Sequence, residues 1–298
     1  MTNTKDMLIT SLAPLVWGST YIVTTAFLPA GYPITAAVLR ALPAGLLLLL
    51  LVRKLPHGIW WLKVALLGAL NFSIFWWLLF EAAYRLPGGI AATVGAIQPL
   101  LVIFLASKIL SRKITRSAVI AAVMGIVGVS ALVLQSTIAF DEIGIIAALG
   151  GACSMALGTV LTRHWQPPVP PLVFTSWQLV AGGLLLLPFS LLLEPALPAL
   201  TAENVLGFAY LSVFGAAATY ILWFRGVARL EPSAVSTLGF LSPVMAVFLG
   251  WLFVGETLTT AQWGGILLIL LSVSLSQMKT KQKDGTPPAS PLKAQQVN

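Results

Sequence analysis

The sequence predicts an all-α polytopic membrane protein of ten transmembrane helices, built as two inverted repeats of five. Three observations predict it. Of 298 residues, 58% are hydrophobic and 9% charged, and the mean hydropathy is +0.94. A soluble domain carries roughly 25% charged residues, so this surface is made for lipid. Lys and Arg gather at alternate ends of the apolar runs instead of forming a stripe, which is a topology signal and not a nucleic-acid footprint despite a net charge of +8. A helix-breaking phrase, GAIQP at Gly95–Pro99, returns as GFLSP at Gly239–Pro243.

The spans follow from hydropathy and its punctuation. A helix needs about 20 apolar residues to cross about 30 Å of hydrocarbon. The first run, 7–27, is too long for a secretory leader. It lacks a strong basic start and a small-x-small cleavage site, so it reads as a mature helix. The others lie at 33–52, 60–84, 88–109, 115–135, 142–163, 171–193, 203–228, 233–254 and 260–277, each bounded by charges, prolines or glycines. The tail 279–298, rich in Lys, Pro and Gln, reads as disordered and cytoplasmic. The single cysteine, Cys153, excludes an intrachain disulfide and reads as a small buried apolar residue.

Ten spans place both termini on one side. With the N terminus inside, Lys5, Arg53, Lys54, Lys63, Lys108, Arg112, Lys113, Arg116, Arg163, Arg225 and Arg229 fall at inner ends. Asp141, Glu142, Glu194, Glu203 and Glu256 fall outside with only Arg85 for company. The positive-inside rule then gives cytoplasmic N and C termini.

The recurring phrase belongs to a longer register. At an offset of 144, Phe80 meets Phe224, Arg85 meets Arg229, Thr93 meets Thr237 and Phe104 meets Phe248. Earlier in each half the offset is 138, pairing Pro33 with Pro171, Arg40 with Gln178 and Gly45 with Gly183. The halves are therefore 1–137 and 138–278. Five spans per half is an odd number, so the second half crosses in the opposite sense. Inverted repeats of this kind place a substrate site near the midplane between them, and offer two similar arrangements open to either side.

Candidate site residues follow from depth and chemistry. Pro99 and Pro243 each lack an N–H and clash with the carbonyl four residues back, that of Gly95 or Gly239. The expectation is a kink with a free carbonyl at mid-depth, beside a polar Gln98 or Ser242, which would wall a cavity. Trp77, Glu81 and Tyr84 share one face of the third span. Tyr220 in the eighth span, and Trp17, Ser19 and Tyr21 in the first, add aromatic rings and hydroxyls suited to an amino-acid-like substrate. Arg40 lies within a span, where it either binds a carboxylate or anchors on a backbone carbonyl. Nothing requires a cofactor, and the lipid bilayer is the only macroscopic partner, with a monomer expected.

The opening PLVWGSTYIVTTAF, and the run RGVARLEPSAVSTLGFLSPVMAVFLGWLFVGETLT with its first-half counterpart EAAYRLPGGIAATVGAIQPLLVIFLASKIL, resemble the drug/metabolite transporter superfamily with its tandem EamA-type repeats. The resemblance covers about 8 to 277. The aromatic stretch NFSIFWWLLFEAAYRLPGG is similar to the YddG-type exporters of aromatic amino acids and other small metabolites. The first half departs from the family's G-E ending, with Ser111-Arg112 where the second half has Gly255-Glu256. The resemblance implies export of small metabolites, aromatic or hydrophobic amino acids foremost and cationic drugs besides, from a bacterial inner membrane. A nucleotide-sugar or phosphate-ester carrier of the same superfamily needs more deep basic groups than Arg40. A membrane enzyme needs a nucleophile with its base or clustered ligands, yet His57 and His164 lie in separate loops. A channel needs charge rings or a carbonyl filter.

Overall fold

The computed structural model describes residues 4–85, 94–133, 141–254 and 258–277. Thr93, Gly255, Glu256, the tail 279–298 and the side chains of Tyr21, Phe80 and Tyr84, all weighed above, lie outside the described residues. Among those residues the chain is helical without strands. The helices are α1 (Thr4–Gly18), α2 (Thr20–Phe27), α3 (Pro33–Val52), α4 (Trp60–Gly68), α5 (Ile74–Arg85), α6 (Gln98–Ile109), α7 (Arg116–Val133), α8 (Glu142–Trp165), α9 (Pro171–Leu193), α10 (Ala202–Ser212), α11 (Thr219–Arg229), α12 (Pro232–Leu238), α13 (Leu241–Leu249) and α14 (Thr260–Gln277). π-Helical turns at Ala69–Ser73, Val213–Ala218 and Gly250–Val254 interrupt three of the runs.

Seven helical runs among the described residues are long and apolar enough to cross a membrane by length and composition. They are Thr4–Thr24, Pro33–Val52, Trp60–Leu79, Glu142–Trp165, Pro171–Leu193, Ala202–Arg229 and Pro232–Phe253. Three shorter apolar helices, Gln98–Ile109, Arg116–Ala131 and Thr260–Ser276, fall on the remaining expected spans. The chain is thus a multi-pass membrane protein. Its exterior is what lipid requires: Leu50, Leu51, Leu191, Leu192 and Phe253 are all exposed. Cys153 is exposed as well, which corrects the expectation of a buried thiol. An apolar side chain facing lipid is not stranded as it would be in water, so hydrophobicity alone does not report burial here.

Small residues set the interior. Ala37, Ala41, Ala44 and Gly45 form a stripe on α3 that packs on α9. A Cβ on Gly45 would stand 2.6 Å from the backbone nitrogen of Val180, and one on Gly183 2.9 Å from Leu42 Cβ. Without a hydrophobic drive between helices in lipid, such close backbone approach and its dispersion contacts supply the association. The α7–α14 crossing repeats the device: a Cβ on Gly128 would meet the Gly265 carbonyl at 2.9 Å, while Ser272 Oγ donates to the Ala121 carbonyl at 2.6 Å.

Polar caps fix the ends. Asp141 accepts the Gly144 N–H at 2.7 Å, and Thr201 with Asn204 forms a capping box on α10. At α3 the cap is long-range. The Glu194 carboxylate, just past α9, accepts the Ile34 N–H at 2.6 Å and the Thr35 N–H at 2.7 Å, with Thr35 Oγ1 at 2.6 Å. At the start of the chain, Asp6 is buried and pairs with Arg225 and, at 3.2 Å, Arg229, tying α1 to the end of α11.

Candidate functional site

Both proline phrases break their helices. In the first half Gly95 leads into a turn at 96–97, the Ile97 N–H bonds the Val94 carbonyl at 3.2 Å, and α6 starts at Gln98 with Pro99 second. In the second half α12 ends at Leu238, Gly239 and Phe240 make the turn, and Pro243 is third in α13. A proline in a first turn lacks only an N–H that has no helical partner there anyway. In the second half Gly239 and Phe240 keep right-handed helical dihedrals and Pro232–Phe253 remains one helical run, so the break is a kink made by a tightened turn. The expected free carbonyl is corrected in that half, since Gly239 O accepts the Ser242 N–H at 3.1 Å. A tightened turn of the i→i+3 kind satisfies it.

The two junctions meet. Ala96 and Phe240, equivalent at the 144 offset, belong to one buried apolar cluster with Val129 and Ile269. Gly95 and Gln98 also line a cavity of about 40 Å³ with Phe75, Ala148, Gly151 and Ala152. That holds water but not an amino acid. Ser242 lies where α13 crosses α1 tightly, its carbonyl 2.6 Å from the place a Gly18 Cβ would take.

Three of the expected side chains come together at the centre. Trp17 Nε1 donates to Thr219 Oγ1 at 3.0 Å, Thr219 Oγ1 donates to the Gly215 carbonyl at 2.9 Å, and Arg40 Nη2 donates to the same carbonyl at 2.7 Å. Gly215 lies in the π turn at Val213–Ala218, and its carbonyl takes both side-chain donors. The Arg40 guanidinium lies 4.9 Å from the Trp76 ring centre. Tyr220 is buried with its ring 4.9 Å from Trp17 and 4.6 Å from Phe72. Of the two readings of Arg40, the geometry is that of the carbonyl anchor.

A matching link exists in the other half. Asn71 Nδ2 donates to Gln178 Oε1 at 2.7 Å, both groups buried. Gln178 is equivalent to Arg40 at offset 138, and Asn71 to Gly215 at offset 144. Arg40 on α3 thus reaches the π turn before α11, and Gln178 on α9 meets the π turn before α5.

The remaining expected residues lie apart from this centre. Trp77 stacks on Phe189 at 5.1 Å, and Trp76 takes the inner position instead. Glu81 bonds Arg85 at the end of α5, with Asp141 3.7 Å from that arginine, and both Glu81 and Arg85 are exposed. Ser19 Oγ bonds the Val16 carbonyl and the Tyr210 hydroxyl, each at 2.7 Å. Trp76 is a deep aromatic of the third span in the sequence too, paired with Tyr220 by the repeat register; Asn71 and Thr219 were not singled out beforehand.

A larger cavity of about 390 Å³ opens where α8 ends, α9 begins and α11 ends. Thr162, Arg163, Gln166, Pro171, Phe174 and Phe224 are among its walls. Its floor joins the aromatic centre, with Phe224 5.3 Å from Phe174 and 5.8 Å from Tyr220.

The model of the EamA-like transporter family matches residues 4–134 and again 142–278. Protein PecM of Dickeya dadantii is 42% identical over 279 residues, covering 91% of this chain and 94% of that protein. The uncharacterized inner membrane transporter YedA of Escherichia coli is 29% identical, covering 88% and 87%. One solved crystal structure superposes with a TM-score of 0.80 at 20% identity, over 92% of this chain and 96% of the other, and so shares the fold.

Proposed function

The chain belongs to the EamA-like transporter family of the drug/metabolite transporter superfamily, and we propose that it exports small metabolites by alternating access between two inverted five-helix repeats. Aromatic and hydrophobic amino acids lead the substrate class, with cationic drugs second, as for the YddG-type exporters. The membrane is a bacterial inner membrane, the one in which the name of YedA places that relative. Ten spans leave both termini cytoplasmic, and the monomer is the working unit.

One observation carries the reading: contacts between the halves recur in exchanged pairs. Arg40 reaches Gly215 as Gln178 reaches Asn71. Gly45 abuts Val180 as Gly183 abuts Leu42. Gly128 abuts Gly265 as Ser272 bonds Ala121. Contacts of the form i to j and j to i are what a two-fold axis makes. With an odd number of spans per half, that axis lies in the membrane plane. Two states related by such an axis have similar energies, which is the condition for opening to either side. The double match to the family model supports the same division.

The nucleotide-sugar and phosphate-ester alternative is not favoured, because the deep cation Arg40 is already engaged by Gly215 and Trp76. The test is a competition screen. Purified protein in liposomes should take up labelled phenylalanine or tryptophan saturably, and unlabelled hydrophobic amino acids should compete. Uptake that only sugar nucleotides or phosphate esters inhibit would overturn the substrate assignment.

A further inference from the structure

Two charge trios cross the seams between the halves, and they are charge mirror images. In one, Asp6 on α1 meets Arg225 at 2.5 Å and Arg229 at 3.2 Å, both on α11. In the other, Arg85 on α5 meets Glu81 of its own helix, and Asp141 at the start of α8 stands 3.7 Å away. Offset 144 makes Arg85 equivalent to Arg229 and Glu81 equivalent to Arg225. The same two positions on the third span of each half therefore face an aspartate that opens the other half's first span. One copy holds a carboxylate between two guanidiniums, the other a guanidinium between two carboxylates. In the proposed topology the two trios lie at opposite ends of the molecule.

The two copies are not equally closed. The Asp6 side chain is 7% exposed, whereas those of Glu81, Arg85 and Asp141 are 37–38% exposed. Beside Asp6 the helices touch: a Cβ on Gly226 would stand 3.0 Å from Thr10 Cβ, and Thr10 is buried. The equivalent pair beside Arg85, at offsets 144 and 138, is Ala82 and Ala148. That pair lines the cavity of about 40 Å³ with Phe75, Leu79 and Gly151. The counterparts of these three, Thr219, Trp223 and Ala13, are buried, and the larger Trp223 stands where the other copy has Leu79. The cavity of about 390 Å³ meets α11 at Phe224 and Ala228, a different face from the one that Arg225 and Gly226 turn to α1. The Asp6 trio therefore seals its own seam. Parting would also differ in cost. Arg85 keeps Glu81 when Asp141 leaves, whereas Arg225 and Arg229 without Asp6 are like charges one helical turn apart. An exposed ion pair is weak, while a buried one strands a charge when either partner is removed.

We propose that Asp6, Arg225 and Arg229 form the latch that holds one end of the transporter shut, with Glu81, Arg85 and Asp141 as its weaker counterpart at the other end. The carrier rests closed at the Asp6 end, which is the cytoplasmic end in the proposed orientation. Opening parts α1 from α11, hydrates the three charges and bares Thr10. The halves then exchange arrangements, so α5 draws onto α8 and the gap beside Ala148 closes. The latch deepens the alternating-access reading. It rests on that reading for the coupled movement of the far end, and not for its own closure.

Thiol labelling reads both seams. Cys153→Ala is the background, since Cys153 is exposed, and Thr10→Cys or Ala148→Cys then places one thiol on one seam. The full chain sits in lipid nanodiscs, where both faces meet a charged methanethiosulfonate reagent. Thr10→Cys should label more slowly than Ala148→Cys, and the reverse order would overturn the resting state assigned to the latch. Asp6→Asn strands two arginines in the closed seam, so it should speed labelling of Thr10→Cys at least about fivefold and slow that of Ala148→Cys. Arg112→Gln breaks the exposed Arg112–Glu231 pair, 3.6 Å long, and should leave the Thr10→Cys rate within about twofold. Adding Arg225→Gln to Asp6→Asn removes the more buried stranded charge and should bring the rate back towards the parent's, a rescue that damage to the fold would not give. A smaller rise with Asp6→Asn would overturn the latch, as would a double variant that labels as fast as Asp6→Asn alone. A full rise at Thr10→Cys with an unchanged rate at Ala148→Cys would retain the latch and overturn the alternating-access reading.

Discussion

Glu194→Gln is the substitution whose outcome the structure fixes most tightly. The Glu194 carboxylate accepts from two backbone N–H groups at 2.6 and 2.7 Å and from Thr35 Oγ1 at 2.6 Å, so both oxygens are used. In the amide one oxygen remains, and the NH2 group faces an N–H donor it cannot accept. One hydrogen bond to a charged acceptor is lost, worth about 1.5–3 kcal/mol, and the charge–dipole attraction of about 0.3–1 kcal/mol goes with it. Because Glu194 is only partly buried, water recovers some of this. The expected loss is about 1.5–2.5 kcal/mol, or roughly ten- to sixtyfold in the folding equilibrium. Equilibrium unfolding in mixed micelles, followed by tryptophan fluorescence, measures it. A loss below about 0.5 kcal/mol would refute the reasoning, and with it the claim that this type of turn holds a carboxylate strongly.

Other outcomes follow from the same contacts. Gly45→Ala and Gly183→Ala force Cβ atoms to within 2.6 and 2.9 Å of the facing helix, so each should cost about 1–3 kcal/mol and lower the unfolding midpoint. Unchanged midpoints would mean the helices separate freely. Arg40→Met should shift the unfolding midpoint while leaving the KM of uptake within about twofold, since the guanidinium is held by Gly215 and Trp76; a tenfold rise in KM with an unchanged midpoint would make Arg40 a substrate ligand. Pro99→Ala and Pro243→Ala restore an N–H that lets a helix run through the junction. Each should alter transport several-fold with stability changed by less than about 1 kcal/mol, and normal transport in both would remove any role for the junctions.

The apolar runs were legible because lipid imposes a length and an apolar surface that composition cannot disguise. Pro33–Val52, Pro171–Leu193 and Thr260–Gln277 coincide with the runs read from hydropathy. The kinks were legible because Gly and Pro announce themselves, but the tightened turns that make them were not. Whether a proline kinks a helix or starts one depends on the turn before it. The π turns were not legible at all: Ala69–Ser73 and Val213–Ala218 contain no residue type that demands an i→i+5 register. The Gly215 carbonyl that Arg40 reaches and the Ser73 hydroxyl, which donates to the Gly182 carbonyl at 2.9 Å, both lie in these turns, so those contacts stayed hidden. Sequence did not separate Trp76, which is 2% exposed, from Trp77, which lies against Phe189, for a related reason. The stretch from Ile74 to Phe80 is apolar on every face, and periodicity has nothing to select. The larger cavity was invisible because three helix ends from distant sequence build it.

Counterflow tests the central claim, that two inverted halves carry substrate by opening alternately. Liposomes holding the protein are loaded with unlabelled phenylalanine and diluted into a trace of the labelled amino acid. A carrier predicts transient accumulation of label above its external concentration, faster with loaded than with empty vesicles and saturable in substrate. Label that enters at the same rate whether or not the lumen is loaded, in proportion to concentration without limit, would contradict it.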